Sequence, residues 1–478
     1  MKKVELEYGL GTMSAVLPDS ADVFIAGETI ADPPYLTNIE NATRESILNP
    51  IGVPTIAKQV KKDSKVVIIF PDRVKGGTQE SAHRKVTIPI VLEECIKAGV
   101  EKKDIILICS NGLHRKNTKN EIKSLLGEKV FNEYWYSHQI VNHDSEDWDN
   151  LVDLGYDQHN NHVVMNKTVY DADLAVLIGH TLGNPYGGYS GGYKHCATGI
   201  TNWECIAAHH VPHVMHRDDF VPVRSDSLMH QKFDQIGQYM EEKMGKKFFT
   251  CDAVLDTYQR QIAIFTGYAK KIQPLSWEIA DKRTYVPFAE KKYDVMMFGL
   301  PLSFQYGNGM GTNPILIMQA ISAQIIRHKR VLKDNCVVIC SSICNGYFHE
   351  EEFPAYKELY EIFQKDYNNI LTDTEKYSEY FARNQEYINK YRYNHAYHPF
   401  HTFSMTSCAH IAEMNCSAIY IVGAQAPGYA RSMGMKTRAT FEEALKDAEK
   451  YVGGNPNILA LPKAFKQAAV HLTMKSTD

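Results

Sequence analysis

Short, continuous apolar runs alternate with amphipathic segments through the first half of the chain. The runs KVVIIF, DIILIC and ADLAVLIG predict buried strands at Lys65–Phe70, Asp104–Cys109 and Ala172–Gly179. The segment Val86–Lys97 between the first two strands predicts a helix. A further helix is predicted after the capping box Thr118-x-x-Glu121. Apolar strands separated by helices are typical of a mainly parallel sheet in an α/β fold.

A second pattern of the same kind begins near residue 292. Its apolar runs predict strands at Tyr293–Gly299, Asn335–Ser341 and Ala418–Gly423. Helices are expected at Pro314–Arg327, across about 354–393, and at Thr440–Val452. The polar stretch Glu278–Lys292 is the best candidate for a linker. We therefore predict two α/β domains with mainly parallel sheets, 1–285 and 286–478, around a cleft, which suits a chain of 478 residues.

Composition excludes several classes of protein. Hydrophobic residues make up 44% and charged residues 23%, which excludes a disordered chain. The net charge of -4 argues against a nucleic-acid partner or an anionic membrane partner. The start MKKVELEYGL has no apolar secretory core, and no apolar run is long enough to span a membrane. The ten cysteines are scattered, so we expect reduced thiols in a cytoplasmic protein.

Candidate chemistry lies at the carboxyl ends of the predicted strands, where open α/β sheets bind ligands. Three loops occupy such positions: Pro71–Gly77, Ser110–Arg115 and Gly179–Lys194. His114 follows the second predicted strand and His180 follows the third. We therefore expect the two imidazoles on one edge of the sheet, where they can serve as an acid and a base.

The segment 179–216 is rich in both glycine and histidine. Six of the 20 histidines of the chain lie in it, at positions 180, 195, 209, 210, 213 and 216. Its glycines allow close approach of the backbone to a ligand, but Tyr193 separates Gly192 from Lys194, so the segment is not a P-loop. His209 and His213 stand four residues apart, as zinc-binding pairs on a helix do, although Pro212 interrupts the helix. A zinc-dependent hydrolase or lyase that uses the histidines of 209–216 therefore stays open as an alternative.

Several motifs together resemble the nickel-dependent lactate racemase family over nearly the full length. They are PDRVKGG, NGLHRKNTKNEIKSLLG, NHDSEDWDNLVDLG, ADLAVLIGH, GGYSGGYK with HH sixteen residues on, FGLPLSFQYG, and RATFEEALKDAEKYVG. The elements GGYSGGYK…HH and LHR are the most specific. The resemblance implies an isomerase of two α/β domains with its site in the cleft between them. It also implies a nickel-pincer nucleotide, a nicotinic-acid-derived cofactor with two sulfur-containing arms that hold nickel.

The resemblance assigns roles to individual residues. Lys194 matches the lysine that binds the cofactor covalently, and His210 matches the nickel ligand, with its neighbour His209 as the second choice. His114 and His180 match the two bases on either side of the substrate. The remaining matches are Asp72, in the loop that serves substrate and cofactor, and the glycines of the loop that wraps the cofactor, Gly188, Gly191 and Gly192.

The implied reaction is racemisation or epimerisation of a 2-hydroxy acid. The carbon-bound hydrogen beside a carboxylate is barely acidic, so its removal as hydride, with a histidine taking the hydroxyl proton, is the easier route. The implied partners are a small-molecule 2-hydroxy acid and the enzymes that build the cofactor. A non-catalytic relative that only binds ligand is the third alternative.

Two departures from the family pattern concern the substrate. The family loop reads Asp-x-Thr-Arg, whereas this chain has Asp72-Arg73-Val74-Lys75, so Arg73, Lys75 or Arg84 is expected to bind the carboxylate. After FGLPLSFQYG the family has Tyr-Gln and a lysine, whereas this chain offers Tyr306 and Asn308 with no lysine until 329. We therefore predict a substrate larger or more polar than lactate, with lactate itself as the alternative.

Overall fold

The computed structural model describes residues 1–215, 227–466 and 470–475. Its first large sheet has six strands, which in spatial order are Gln261–Gly267, Phe249–Leu255, Leu174–Thr181, Val66–Pro71, Ile105–Ser110 and Ile140–Asn142. All neighbours are parallel except the first pair. The three strands predicted in the first half of the chain are the neighbouring strands at its centre. The expectation of an α/β fold with mainly parallel sheets is confirmed.

The second large sheet has eight strands. Six form a path in the order Gly11–Leu17, Lys2–Gly9, Tyr293–Pro301, Leu332–Ser341, Cys416–Val422 and Lys436–Arg438. The strand Ile458–Leu461 pairs with Tyr293–Pro301 and with the short strand Asp22–Val23. The start of the chain therefore contributes strands to the second sheet, a feature that the predicted domains 1–285 and 286–478 do not describe.

Helices cover both sheets. Those of the first half are Ile39–Leu48, Ile56–Gln59, His83–Lys97, Lys119–Leu126, Glu128–Tyr134, Lys167–Asp171, Lys194–Ala197, Trp203–Ala207, Pro212–Met215, Leu228–Met244 and Ala269–Thr284. Those of the second half are Pro314–His328, Pro354–Phe363, Ile370–Ala382, Gln385–Tyr393, Phe400–Asn415, Pro427–Arg431 and Phe441–Val452. Single 3-10 turns occur at Lys102–Asp104 and Trp148–Asn150. Thr118 and Glu121 form the predicted capping box.

Four further strand pairs lie outside the large sheets: Leu151–Tyr156 with His162–Asn166, Gly183–Asn184 with Gly188–Tyr189, Tyr285–Ala289 with His471–Met474, and Ser303–Phe304 with Gly307–Asn308. The third pair shows that the linker predicted at Glu278–Lys292 is wrong. The helix Ala269–Thr284 continues into this stretch and the strand follows it directly. The polar residues that suggested a linker belong in part to the solvent-facing side of this helix.

The cysteines and helices agree with the expectations from composition. None of the ten cysteines forms a disulfide, and all but Cys416 are buried. Within the described part of the chain, every helix is too short or too polar to cross a membrane.

One close contact fixes the segment that contains Lys194. Tyr193 is fully buried against the helix Leu228–Met244, where its hydroxyl donates a hydrogen bond of 2.8 Å to Glu241. Gly237 of this helix leaves room for the ring: a methyl group at this glycine would lie 2.2 Å from Tyr193 Cδ1. The missing side chain of Gly237 therefore determines how closely Tyr193, and Lys194 after it, approach the helix.

We expect Gly237→Ala to destabilise the protein by about 1–3 kcal/mol, because the added methyl group overpacks the contact with Tyr193. At an ordinary helical position the same substitution stabilises by about 1 kcal/mol. Urea denaturation of both proteins measures the difference in unfolding free energy. The matched control is Gly428→Ala, in the helix Pro427–Arg431, where nothing lies within 4 Å of the added methyl group. Equal effects of the two substitutions would contradict the packing argument.

Candidate active site

Asp72 and His114 form a hydrogen-bonded pair at the carboxyl ends of two neighbouring strands. Asp72 follows Val66–Pro71, and the loop after Ile105–Ser110 brings His114 Nδ1 to 2.6 Å from Asp72 Oδ2. Burial alone would raise the pKa of Asp72, but the charge and hydrogen bond of His114 lower it to about 2. An ionised Asp72 accepts the hydrogen of Nδ1. When the His114 ring is neutral with its hydrogen on Nδ1, Nε2 carries a lone pair and can accept a proton.

His180 lies at the end of the adjacent strand, Leu174–Thr181, and is 3% exposed. Burial, with the neighbouring charge of His195 as the next cause, lowers its pKa well below the usual value for histidine. The ring of His195 lies 6.2 Å from that of His180 and nearly perpendicular to it. His180 is therefore neutral at pH 7 and able to accept a proton.

A glycine turn leads the chain into the short helix Lys194–Ala197. Gly191 and Gly192 have φ values of +92° and +52°, which favour glycine. The backbone N–H of Gly192 donates a hydrogen bond of 2.7 Å to Asp252 Oδ2, and a methyl group at Gly191 would lie 2.7 Å from the same oxygen. Close approach of this turn to Asp252 thus determines where the chain delivers Lys194.

Lys194 is buried without a polar partner. Its side chain is 7% exposed, and Nζ lies 5.7 Å from the ring centroid of Phe233. Within the described residues it makes no hydrogen bond or ion pair. Burial, and then the charge of Lys75, lower the pKa of Lys194 well below the usual value for lysine. A neutral amine is a nucleophile, as covalent attachment of a ligand requires.

His209 and His210 form a chain of hydrogen bonds. His209 Nε2 lies 3.3 Å from the Ala197 carbonyl, and the two Nδ1 atoms lie 2.7 Å apart. One arrangement of hydrogens satisfies both contacts: His209 donates from Nε2 and accepts at Nδ1 from His210. Nε2 of His210 then carries a lone pair, the form that binds metals. His209 is fully buried with both nitrogens in use, which favours His210 as the ligand.

His114, His180, Lys194, His195 and His210 line one cavity of about 210 Å³. Asp72, His209, Gly191 and Gly192 are not among its lining residues. It is lined by residues of both halves of the chain, namely Val74, Lys75, Ser110, Asn111, Leu113, His114, His180, Leu182, Gly183, Asn184, Pro185, Ser190, Lys194, His195, Thr198, Gly199, His210, Gln305, Tyr306 and Arg327. The lining includes residues from all three of the strand-end loops selected in the sequence, Pro71–Gly77, Ser110–Arg115 and Gly179–Lys194. Apart from Lys194, the cations are Lys75 and Arg327, and no carboxylate lies among these lining residues. The cavity therefore favours anions.

Not every residue selected in the sequence lines the cavity. Arg73 donates hydrogen bonds of 2.7 Å to the Tyr306 carbonyl and 3.3 Å to the Tyr397 hydroxyl, so it joins the two halves of the chain. Asn308 is exposed in a hairpin, and Gly188 lies in the hairpin that precedes the glycine turn. Arg84 is buried, and its guanidinium donates to the carbonyls of Pro71 and Asp72. Of the candidate cations for a carboxylate, only Lys75 borders the cavity.

The second half of the chain forms a wall around His114 that sequence reasoning missed. The rings of Tyr306, Tyr397 and His401 lie 5.3, 5.7 and 5.7 Å from the His114 ring. The backbone N–H of His398 donates to the Leu113 carbonyl at 3.0 Å. His398 and His401 belong to the segment NHAYHPFHTF, at 394–403, which is not among the motifs selected from the sequence. The high content of aromatic residues and histidines in this segment is the sequence feature that could have indicated its place in the site.

The histidines of 209–216 do not form a zinc site in the described part of the chain. His209 is buried, His210 lines the cavity and His213 is exposed. His216 lies outside the described residues. Within the described ranges, no group of three or more His, Cys, Asp or Glu side chains is arranged to hold a metal by itself. The zinc-dependent alternative is therefore not favoured.

Comparisons with known proteins agree on one family. The family model "Lactate racemase N-terminal domain" matches residues 8–220. The curated lactate racemase of Thermoanaerobacterium thermosaccharolyticum is 23% identical over 57% of this chain, and that of Lactiplantibacillus plantarum is 24% identical over 60%. These alignments span 60% and 64% of the length of the two relatives.

Solved structures share the fold. The lactate racemase apoprotein of Thermoanaerobacterium thermosaccharolyticum matches with a TM-score of 0.71 and 20% identity, covering 98% of this chain and 100% of its own. A protein of Thermotoga maritima matches with a TM-score of 0.56 and 12% identity, covering 93% of this chain and 99% of its own.

Fold and site thus define an α/β protein whose candidate catalytic cavity is lined from both halves of the chain. The resemblance to the lactate racemase family found in the sequence is confirmed: the family model matches residues 8–220, and both curated relatives are lactate racemases.

Asp252 and His195 share a tight space beside the glycine turn. A methyl group at Gly179 would lie 2.3 Å from His195 Nε2 and 2.4 Å from Asp252 Oδ1. Both atoms are buried without a hydrogen-bond partner among the described residues. Burial raises the pKa of Asp252 to about 7, and the hydrogen bond from Gly192 offsets only part of this effect. Asp252 is thus a carboxyl group that titrates near neutral pH.

We expect Asp252 to make stability depend on pH. Folding raises the pKa of Asp252 from about 4 in the unfolded chain to about 7. Its contribution to the free energy of unfolding is therefore fully present below about pH 4 and is lost as the pH rises through about 7. Relative to Asp252→Asn, the unfolding free energy of the unsubstituted protein should fall by roughly 2 kcal/mol between pH 5 and pH 8. Urea denaturation at both pH values measures this difference. Parallel changes in the two proteins would contradict the assignment.

Proposed function

We propose that this protein is a racemase or epimerase of a 2-hydroxy acid in which His114 and His180 are the bases. The observation that carries the proposal is their position in one cavity with Lys194 and His210. Two histidines that line one cavity give one base for each face of a planar intermediate. The names of the curated relatives support the same reaction class.

Electrostatics favour an acid as the substrate. Lys75 borders the cavity, and its ammonium group makes no hydrogen bond or ion pair with the described residues. Because no carboxylate lies among the lining residues, nothing in this set repels a substrate carboxylate. We propose that Lys75 binds that carboxylate, at the position where the family loop has arginine. The adjacent Tyr306 side chain and Gln305 also border the space for the rest of the substrate.

The hydroxyl proton of the substrate goes to a histidine. His114 accepts it at Nε2, and the ionised Asp72 at 2.6 Å from Nδ1 stabilises the imidazolium that forms. His180 does the same for the opposite enantiomer. Its burial keeps it neutral before the substrate binds. The wall formed by Tyr306, Tyr397 and His401 limits the access of water to His114.

The residues present fit a nickel-pincer nucleotide. Lys194 is a buried amine without a polar partner, suited to covalent attachment, and His210 offers Nε2 as a single protein ligand for nickel. When bound, this group supplies the acceptor for the carbon-bound hydrogen of the substrate, which leaves as hydride. A cofactor of this kind implies the enzymes of its synthesis as partners. The reduced thiols of the chain suit the cytoplasm, where we place the enzyme.

We expect His114→Asn and His180→Asn each to reduce racemisation about 10²–10⁴-fold, because each removes one base. The enzyme would be co-expressed with cofactor-synthesis enzymes, and single enantiomers of lactate and of larger 2-hydroxy acids would be followed by chiral chromatography. Faster turnover of the larger acids would support the predicted substrate preference.

The matched control is His213→Asn, which changes an exposed histidine in the same part of the chain and should leave the rate unchanged. Full activity of both His114→Asn and His180→Asn would contradict the assignment of the bases. A loaded protein that interconverts no 2-hydroxy acid would contradict the proposed reaction.

A further inference from the structure

Arg327 borders the cavity from the second half of the chain. It lies in the last turn of the helix Pro314–His328, and its side chain is one of the two cations, besides Lys194, that line the cavity. Its Nε is buried without a hydrogen-bond partner. The whole guanidinium makes no hydrogen bond or ion pair within the part of the chain that the structure describes.

A guanidinium in this position destabilises the protein unless an ion pair or hydrogen bond offsets its loss of hydration. Burial lowers the pKa of Arg327 to about 10, so the side chain keeps its charge at neutral pH. Arg327 as a whole is half-buried: its Nε is buried, and its side chain borders the cavity. A charge that is largely removed from water without a partner is unfavourable, and for this reason such arginines are normally paired. The missing partner is therefore expected to be a bound anion.

Two buried histidines beside Arg327 each have one ring nitrogen without a partner among the described residues. These atoms are His328 Nδ1 and His471 Nε2, and the two residues are 3% and 5% exposed. Arg327 contributes to the lowered pKa of each, after the larger effect of burial. His471 reaches towards the cavity, because its Nε2 would lie 3.8 Å from a methyl group at Gly183, a lining residue. Arg327 and His471 thus approach one part of the cavity wall, and His328 borders the adjacent cavity that Arg327 also lines.

We propose that Arg327 binds a second anionic group, a carboxylate or a phosphate, in addition to the carboxylate that Lys75 binds. This inference rests on the proposed function, since it assumes that the cavity holds a 2-hydroxy acid. The second group is the distal acid of a dianionic substrate or the phosphate of a bound nucleotide. In either case the ligands of this cavity carry more negative charge than lactate alone.

Binding to the full-length, cofactor-free chain tests this proposal without turnover. Isothermal titration calorimetry would compare malate with lactate, and nicotinate mononucleotide with nicotinate, so that each pair differs by one acidic group. We expect Arg327→Gln to lower the affinity for malate or for nicotinate mononucleotide about 10–100-fold, as the loss of a charge-assisted hydrogen bond predicts. The affinities for lactate and nicotinate should change less than about threefold. If only the affinity for malate falls, the anion that Arg327 binds belongs to the substrate. If only the affinity for the nucleotide falls, that anion is the nucleotide phosphate.

The matched control is Arg330→Gln, which removes the same charge from an exposed position three residues further on and should change no affinity. The proposal is overturned if Arg327→Gln binds all four compounds as tightly as the unsubstituted chain does. It is also overturned if the affinity for lactate falls as much as that for malate and the affinity for nicotinate falls as much as that for nicotinate mononucleotide. Failure of the unsubstituted chain to bind malate and the nucleotide would also overturn it. Racemase activity is measured separately, so either proposal can fail while the other stands.

Discussion

The burial of the Lys194 amine, which has no polar partner among the described residues, is the constraint on which the rest of the site depends. Placing an ammonium group in such an environment costs several kcal/mol, so the amine is held neutral instead. The structure around it must therefore fix the backbone by other contacts. Tyr193 is anchored to Glu241, and the N–H of Gly192 is bound by Asp252. These two hydrogen bonds hold the short helix in place while its lysine stays free for a ligand.

The same desolvation determines the state of the histidines around the cavity. His180, His195 and His210 all have pKa values lowered mainly by burial. They are therefore neutral at pH 7 and can act as bases or ligands. His114 has a different contact, since its Nδ1 lies 2.6 Å from the carboxylate of Asp72. The positive charge of the cavity is left to Lys75 and Arg327, which approach it from the two halves of the chain. A neutral reaction centre between two cations is well suited to an anionic substrate.

Much of the fold follows from the sequence because its central strands are continuous apolar runs. Val66–Pro71, Leu174–Thr181 and Tyr293–Pro301 each appear within about two residues of their predicted bounds. The place of the strand Lys2–Gly9 in the second sheet could not be predicted, since it depends on pairing with a strand nearly 300 residues away. His114 and His180 were found because they follow strands, whereas Asp72 and Lys194 were found through the resemblance to the lactate racemase family. Arg327 was not, because a cation in the last turn of a helix is ordinary in sequence, and only the tertiary structure shows that it lacks a partner.

The most direct test of the account is the mass of the peptide that contains Lys194. The chain would be co-expressed with cofactor-synthesis enzymes, digested under mild conditions and analysed by mass spectrometry. The account predicts that the peptide carries an added mass on Lys194, which is absent from Lys194→Ala and from protein expressed alone. A peptide of unmodified mass in active protein would contradict the account, because the buried amine would then have no role in holding the group that completes the site.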